Sequence, residues 1–183
     1  LAAQLIEVAP AVRAEARLTV HCGRRLADVL RGETDPLELL FPGGSTDEAA
    51  ALYADAPSFR VFNALVRDAV VEVGAARADD APVRILEVGG GTGGVTEELL
   101  PALPRDRTRY VFTDISPLFT ARAKERFAAH SGFETGVLDI TRDPVEQGFE
   151  PGSFELVVAS NVLHATPDLR QTLPNIRTLL APG

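Results

Sequence analysis

A single cysteine, Cys22, among 183 residues leaves no partner for an intramolecular disulfide and no basis for a cysteine-rich metal site. It reads as a thiol packed in a helix. The chain contains no H-E-x-x-H pattern, no hydrolase elbow and no phosphate loop of the Walker type, so no metal is expected. No apolar run approaches the roughly 20 residues of a membrane helix, and no charged-then-apolar leader opens the chain. The expectation is no membrane association and a cytoplasmic protein. Basic residues are scarce as well: 18 Lys and Arg against 26 acids give a net charge of −8. The deficit is spread along the chain, with 8 Arg against 13 acids in residues 1–80 and 10 Lys/Arg against 13 acids in 81–183. Without a basic face to displace counterions, nucleic acid is excluded as an expected partner. A 45% hydrophobic and 24% charged composition otherwise suits an ordinary globular protein.

What the chain does have is glycine in one place. Arg84 to Gly94 reads Arg-Ile-Leu-Glu-Val-Gly-Gly-Gly-Thr-Gly-Gly. Val83, Ile85, Leu86 and Val88 form a short apolar run, which predicts a strand buried on both faces. Val95, Leu99 and Leu103 then recur at helical spacing. Strand, glycine turn and helix open a nucleotide-binding α/β unit, because residues without Cβ allow positive φ and a close approach of backbone N–H groups to a ligand. The turn fits two fingerprints. Gly89, Gly91 and Gly94 satisfy G-x-G-x-x-G of dinucleotide sites. Gly89, Gly91 and Gly93 after Glu87 satisfy E-x-G-x-G-x-G, the pattern for S-adenosylmethionine (SAM). By itself the turn names a nucleoside-containing cofactor and no chemistry.

Around this unit the chain divides into residues 1–80, expected to be helical, and 81–183, expected to alternate strand and helix. Leu1, Leu5, Val8 and Val12 share one helix face, and Leu26, Val29 and Leu30 suggest a short helix ending near Gly32. Asp35-Pro36 starts a further turn. Ser45 with Glu48 is a capping box. Phe59, Phe62, Val66, Ala69, Val70 and Val73 trace an amphipathic helix. Beyond the glycine unit, strands are expected at Tyr110–Phe112, Phe133–Leu138 and Phe154–Ala159. Ser116-Pro117 starts a helix, as N-cap and N1. A last helix carries Leu169, Leu173, Ile176 and Leu180 on one side. Right-handed β-α-β crossovers then give a parallel sheet with its ligand at the C-terminal strand ends.

Four strand ends therefore face one crevice. They supply Glu87 and the glycine turn, Asp114-Ile115, Asp139-Ile140, and Asn161-Val162-Leu163-His164. Asp114, 20 residues past Gly94, is placed for a ribose diol. Three acids and an amide suit donors such as a ribose, an adenine amino group and an ammonium, and would not help a pyrophosphate. That favours SAM over a nicotinamide dinucleotide. Two structural roles compete: Asp139 as a cap of the short Asp143-Pro144 turn region, and Glu87 as a brace of the glycine turn. His164 is the one histidine beside the crevice and the natural candidate for proton transfer near neutrality.

With these residues in place the chain resembles the methyltransferase domains of modular polyketide synthases, a branch of the class I SAM-dependent superfamily. The resemblance rests on Asp35 to Gly44, the stretch from Leu52-Tyr53 to Asn63, Glu87 to Gly94, Tyr110 to Ser116 and Ala159 to Thr166. It implies a Rossmann-like methyltransferase sheet preceded by a helical lid over residues 1–80. It implies SAM as cofactor, held by Glu87, Gly89, Gly91, Gly93, Asp114, Ile115, Asp139, Ile140 and Asn161. It also implies an acyl chain tethered through phosphopantetheine to an acyl carrier protein, with other synthase domains as partners. The C-methylating members use a histidine, matched by His164, paired with a glutamate on the following strand. That glutamate is expected beyond Gly183. The superfamily sheet has seven strands and four are found, so the chain, which opens on Leu1 rather than Met, is expected to be a segment of something longer. The expected reaction is methylation of the α-carbon of a β-ketoacyl thioester. The alternatives are O-methylation of a carrier-bound polyketide, a non-catalytic methyltransferase-like segment, and a nicotinamide oxidoreductase.

Overall fold

The structure, a computed structural model, describes residues 8–41, 43, 45, 52–53, 56–76 and 81–182. The expected Leu1–Leu5 helix face and the helix opened by Ser45 and Glu48 fall largely outside the described residues. Two compact units divide the chain, residues 1–64 and 65–183.

In the first unit the short helix expected to end near Gly32 is the end of a longer element, α1 (Arg13–Leu30), preceded by a single turn at Pro10–Val12. Its moderate helix formers run unbroken, Gly23 included, until Gly32 adopts φ 74. A short α2 (Pro36–Leu40) follows, with Asp35 as N-cap accepting from the Leu37 amide at 2.8 Å and Pro36 at the first helical position. α3 (Pro57–Ala75) begins in this unit. Its inward face is the expected one in part: Val70 is buried and Val66 packs on the core, but Asn63 is buried as well, whereas Phe62 and Val73 are 62% and 50% exposed. Periodicity alone cannot separate two apolar stripes one residue apart. The Asn63 amide decides here by donating to the Tyr53 carbonyl at 3.1 Å.

The second unit is built on a parallel sheet of β1 (Val83–Val88), β2 (Thr108–Asp114), β3 (Phe133–Val137) and β4 (Leu156–Val158), in the order β3-β2-β1-β4. α4 (Gly94–Leu99), α5 (Pro117–Arg126) and α6 (Leu169–Leu179) follow β1, β2 and β4. The register sets Val88 beside Thr113, Thr113 beside Gly136, Asp114 beside Val137 and Glu87 beside Val158. All four C-terminal ends therefore finish along one edge. β1 is central and its successive residues feed opposite cores. Ile85 joins Leu99, Tyr110, Phe112 and Phe127 on one face; Leu86 and Val88 join Leu138, Ile140 and Leu179 on the other.

β4 is shorter than the expected Phe154–Ala159. Phe154 instead forms a parallel bridge with Leu180, through Phe154 N to Leu179 O at 3.0 Å and Ala181 N to Phe154 O at 2.8 Å. The last helix also turns another side inward than expected. Thr172 and Leu179 are buried and Ile176 is packed on the core, while Leu169 and Leu173 are 46% and 51% exposed. The residues at 172, 176 and 179 form an equally good helical stripe, and Asp168, capping through Arg170 N at 2.8 Å, fixes the rotation.

Gly132 tightens the approach to β3: at φ 80, a Cβ there would lie 2.6 Å from the Thr108 carbonyl oxygen. Gly132→Ala is expected to cost about 1–3 kcal/mol, from left-handed strain and overpacking against backbone. Urea unfolding measures it, and an unchanged midpoint would show that the β2–β3 junction yields.

Candidate functional site

β1 ends where the chain must turn with no room for side chains. Gly89, Gly91 and Gly93 have φ of 64, 54 and 83, in the left-handed region that glycine enters without steric cost. A Cβ on Gly89 would come within 2.5 Å of Val162, and one on Gly93 within 3.0 Å of Phe127. One on Gly90 would run into the Phe112 ring. Gly91 differs: a Cβ there would meet only the Gly89 carbonyl, at 4.0 Å. The turn is thus closed on its protein side and open at Gly91.

Asp114, at the end of β2, holds this turn. Its Oδ2 accepts from the Gly91 amide at 2.9 Å and its Oδ1 from the Ser116 amide at 2.8 Å. Ser116 stands at the N-cap of α5 as expected, but its own side chain makes no capping bond; the Asp114 carboxylate takes the neighbouring amide. Each carboxylate oxygen retains a further lone pair for an outside donor. Ile115, next in sequence, is 64% exposed beside it.

Leu138 N donates to the Asp114 carbonyl at 3.0 Å, which brings Asp139 out beside Asp114. Asp139 Oδ1 accepts from the Thr141 amide at 3.0 Å and the Thr141 hydroxyl at 2.6 Å. Asp139 therefore caps the residues directly after it, through one of its two carboxylate oxygens, and not the Asp143-Pro144 turn, where Asp143 Oδ1 itself accepts from the Val145 amide at 2.8 Å.

After β4, Asn161 has φ 56, alone among the described non-glycine residues in being positive. Asn tolerates this conformation better than most residues. The reversal seats Val162 over Gly89 and leads into the turn Leu163–Ala165, closed by the Thr166 hydroxyl on the Leu163 carbonyl at 2.7 Å. His164 lies in this turn with an exposed side chain, two residues past the contact with the glycine turn.

Two expected site residues turn inward. The Ile140 side chain is 5% exposed in the core with Leu86 and Leu179. Glu87 is 2% exposed, and its Oε2 accepts from the Thr96 hydroxyl at 2.5 Å and the Tyr110 hydroxyl at 2.8 Å. It lies beneath the turn, joining α4 to β2. The Thr113 hydroxyl adds a bond to the Glu87 carbonyl at 2.6 Å. Burial pushes the Glu87 carboxyl up from the ordinary 4.5 to about 7; the two hydroxyls oppose this and the Asp114 charge adds to it. Burial, with the Glu87 charge, likewise pushes the Tyr110 phenol up.

Residues not anticipated from sequence surround the turn. Arg126 of α5 donates to the Thr92 carbonyl at 3.0 Å and pairs with Glu97 at 2.6 Å. Gln147 and Asn175 hold the segment after β3 through backbone carbonyls. The carbonyl partners of Arg126 and Asn175 lie more than 30 residues off, and the bonds of Gln147 depend on how an irregular loop closes, so none has a local signature. Among the described residues no group of three or more His, Cys, Asp or Glu is arranged to hold a metal, and no helix is long and apolar enough to cross a membrane.

A parallel sheet in the order 3-2-1-4, a glycine turn after its first strand and an acid ending its second define the Rossmann-like fold of class I methyltransferases. The chain belongs to the methyltransferase-domain family, whose pattern matches residues 86–183. It is 39% identical over 170 residues to the highly reducing polyketide synthase FUM1 of Gibberella moniliformis, covering 91% of this chain and 6% of that one. Among solved structures, the CurJ carbon methyltransferase superposes with a TM-score of 0.95 at 41% identity, over 100% of this chain and 48% of that one. The trans-methyltransferase CalH, in a complex with SAH, superposes with a TM-score of 0.76 at 35% identity, over 99% and 50%. The chain thus spans about half the length of these solved methyltransferases and a small part of the synthase.

The buried carboxyl makes a pH prediction. Native Glu87 keeps its proton to about pH 7, whereas the unfolded chain releases it near 4.5. Between those values the native state binds more protons, so this group's contribution to stability falls as pH rises and levels off above about 7. Relative to Glu87→Gln, the protein is expected to lose on the order of 1–3 kcal/mol across that window. Urea titrations of both forms at several pH values test this. A difference independent of pH would mean that Glu87 ionises alike folded and unfolded.

Proposed function

We propose that this chain carries the cofactor-binding part of a SAM-dependent carbon methyltransferase of a polyketide synthase, with His164 as general base. The observation that carries the reading is the near-complete superposition on the CurJ carbon methyltransferase, together with a histidine in the turn after β4. The open face at Gly91 and the donor-seeking carboxylates of Asp114 and Asp139 fit SAM, which would rest on the glycine turn. In that fit Asp114 takes the ribose hydroxyls, Asp139 the adenine amino group, and Ile115 packs on the purine face. When bound, SAM supplies an electrophilic methyl group on a sulfonium.

The chain's own part in the chemistry is proton removal. A carbon between a ketone and a thioester is acidified because its carbanion delocalises into both oxygens, so a neutral imidazole suffices as base. The substrate class that presents such a carbon is a β-ketoacyl thioester on an acyl carrier protein. His164 takes the α-proton on its ring nitrogen; it stands in the short turn bounded by Thr166, two residues past Val162, which contacts the glycine turn.

His164→Ala is expected to leave SAH affinity within about twofold by calorimetry while methyl transfer falls by about 10²–10⁴. Product analysis by NMR identifies the methylated atom. Unchanged turnover would remove His164 from the mechanism, a methyl ether product would make the enzyme an O-methyltransferase, and absence of SAH binding would overturn the cofactor assignment.

A further inference from the structure

The segment after β3 carries Asp139 to the crevice, yet it lies outside the sheet's ladder. β3 ends at Val137, and Leu138 makes the last bond to β2. A backbone leaving a strand in this way needs other partners if its side chains are to stay in place. One side chain supplies most of them. Gln147 Oε1 accepts from the Asp139 amide at 2.8 Å, and its Nε2 donates to the Asp139 carbonyl at 2.9 Å. The primary amide thus pairs with both backbone groups of a single residue, as a neighbouring strand would. The same Nε2 lies 3.1 Å from the Asp143 carbonyl and 3.4 Å from that of Arg142.

A second amide works from the far side. Asn175, on α6, donates to the Ile140 carbonyl at 2.9 Å and the Arg142 carbonyl at 3.0 Å. Below, the Ile140 and Leu138 side chains are buried in the core on either side of Asp139. Above, Thr141 fixes the carboxylate through Oδ1. Backbone, flanking side chains and one carboxylate oxygen are all constrained; Gln147 is the side chain that pairs with the Asp139 backbone, whose carbonyl also accepts from the Arg142 amide at 3.1 Å.

We propose that Gln147 is the positioning residue for adenine recognition: it holds Asp139 so that the carboxylate accepts from the purine 6-amino group, which sets the preference for an amino-bearing purine. This rests on the reading that Asp139 meets the adenine. The amide is needed specifically, since a group that both accepts from N–H and donates to C=O is required to pair with Asp139. Gln147→Glu keeps the shape and the acceptor but turns a carboxylate oxygen toward the Asp139 carbonyl.

Calorimetric binding of SAH and S-inosylhomocysteine, in which a 6-oxo group replaces the amine, tests this without turnover. The native protein is expected to prefer SAH by about 10- to 100-fold, the range of a hydrogen bond to a charged group. Asp139→Asn, Gln147→Ala and Gln147→Glu are each expected to reduce that ratio to less than about threefold. The ratio, unlike overall affinity, is unmoved by a general loss of stability, and the near-isosteric Glu variant covers any failure of the Ala variant to fold. Loss of the preference in Asp139→Asn but not in the Gln147 variants would overturn the positioning role alone. Retention in Asp139→Asn, or no preference in the native protein, would overturn the adenine reading and the proposal with it.

Discussion

The C-terminal edge of the sheet depends on a turn that admits no side chain. Gly89 meets Val162 from the loop after β4, Gly90 meets the Phe112 ring of β2, and Gly93 meets Phe127 beyond α5. Three elements close on one stretch of backbone, and each contact would be lost to a single Cβ. Because Gly89 and Gly93 also sit at positive φ, the constraint there is conformational as well as steric. The open side at Gly91 is what remains for a ligand.

Beneath the turn the structure spends a buried carboxylate. Taking Glu87 out of water is unfavourable, and the hydroxyls of Thr96 and Tyr110 offset part of that cost. What this arrangement achieves is registration. Tyr110 belongs to β2 and Thr96 to α4, so one side chain of β1 ties the helix that starts at the turn to the strand that ends in Asp114. Asp114 closes the loop from above through the Gly91 amide. The acid of the glycine fingerprint is thus a brace, and the acid of the next strand, also buried, holds the Gly91 and Ser116 amides.

The other strand ends use cheaper means. Asn161 reverses the chain by adopting a conformation that its side chain type tolerates, and so places Val162 and the His164 turn. Asp139 is placed by primary amides recruited from Gln147 and α6. In each case a polar group fixes backbone that the sheet no longer supports, while Leu138, Ile140 and Val162 anchor the segment in apolar contacts. The C-terminal edge of the sheet is assembled from irregular backbone on a regular scaffold.

Much of this was legible in the sequence. The β1 apolar run, the glycines, the N-cap at Asp35 and the Ser116-Pro117 helix start are local signals, because propensity, capping and positive φ act over a few residues. The acids at strand ends followed from the alternation of strand and helix, since parallel topology fixes which end faces the ligand. What sequence could not decide was rotation and reach. On α3 and α6 the expected stripes hold only in part: Val70 and Ile176 point inward, but burial of Asn63 and Thr172 rotates Phe62, Val73, Leu169 and Leu173 outward. Whether Glu87 faced the ligand or the core turned on Tyr110, 23 residues away, and the clamp of Gln147 on Asp139 turned on a loop closing back over 8. These are tertiary decisions: they depend on which polar groups come within 3 Å of one another once the sheet is formed, and no local pattern carries that distance.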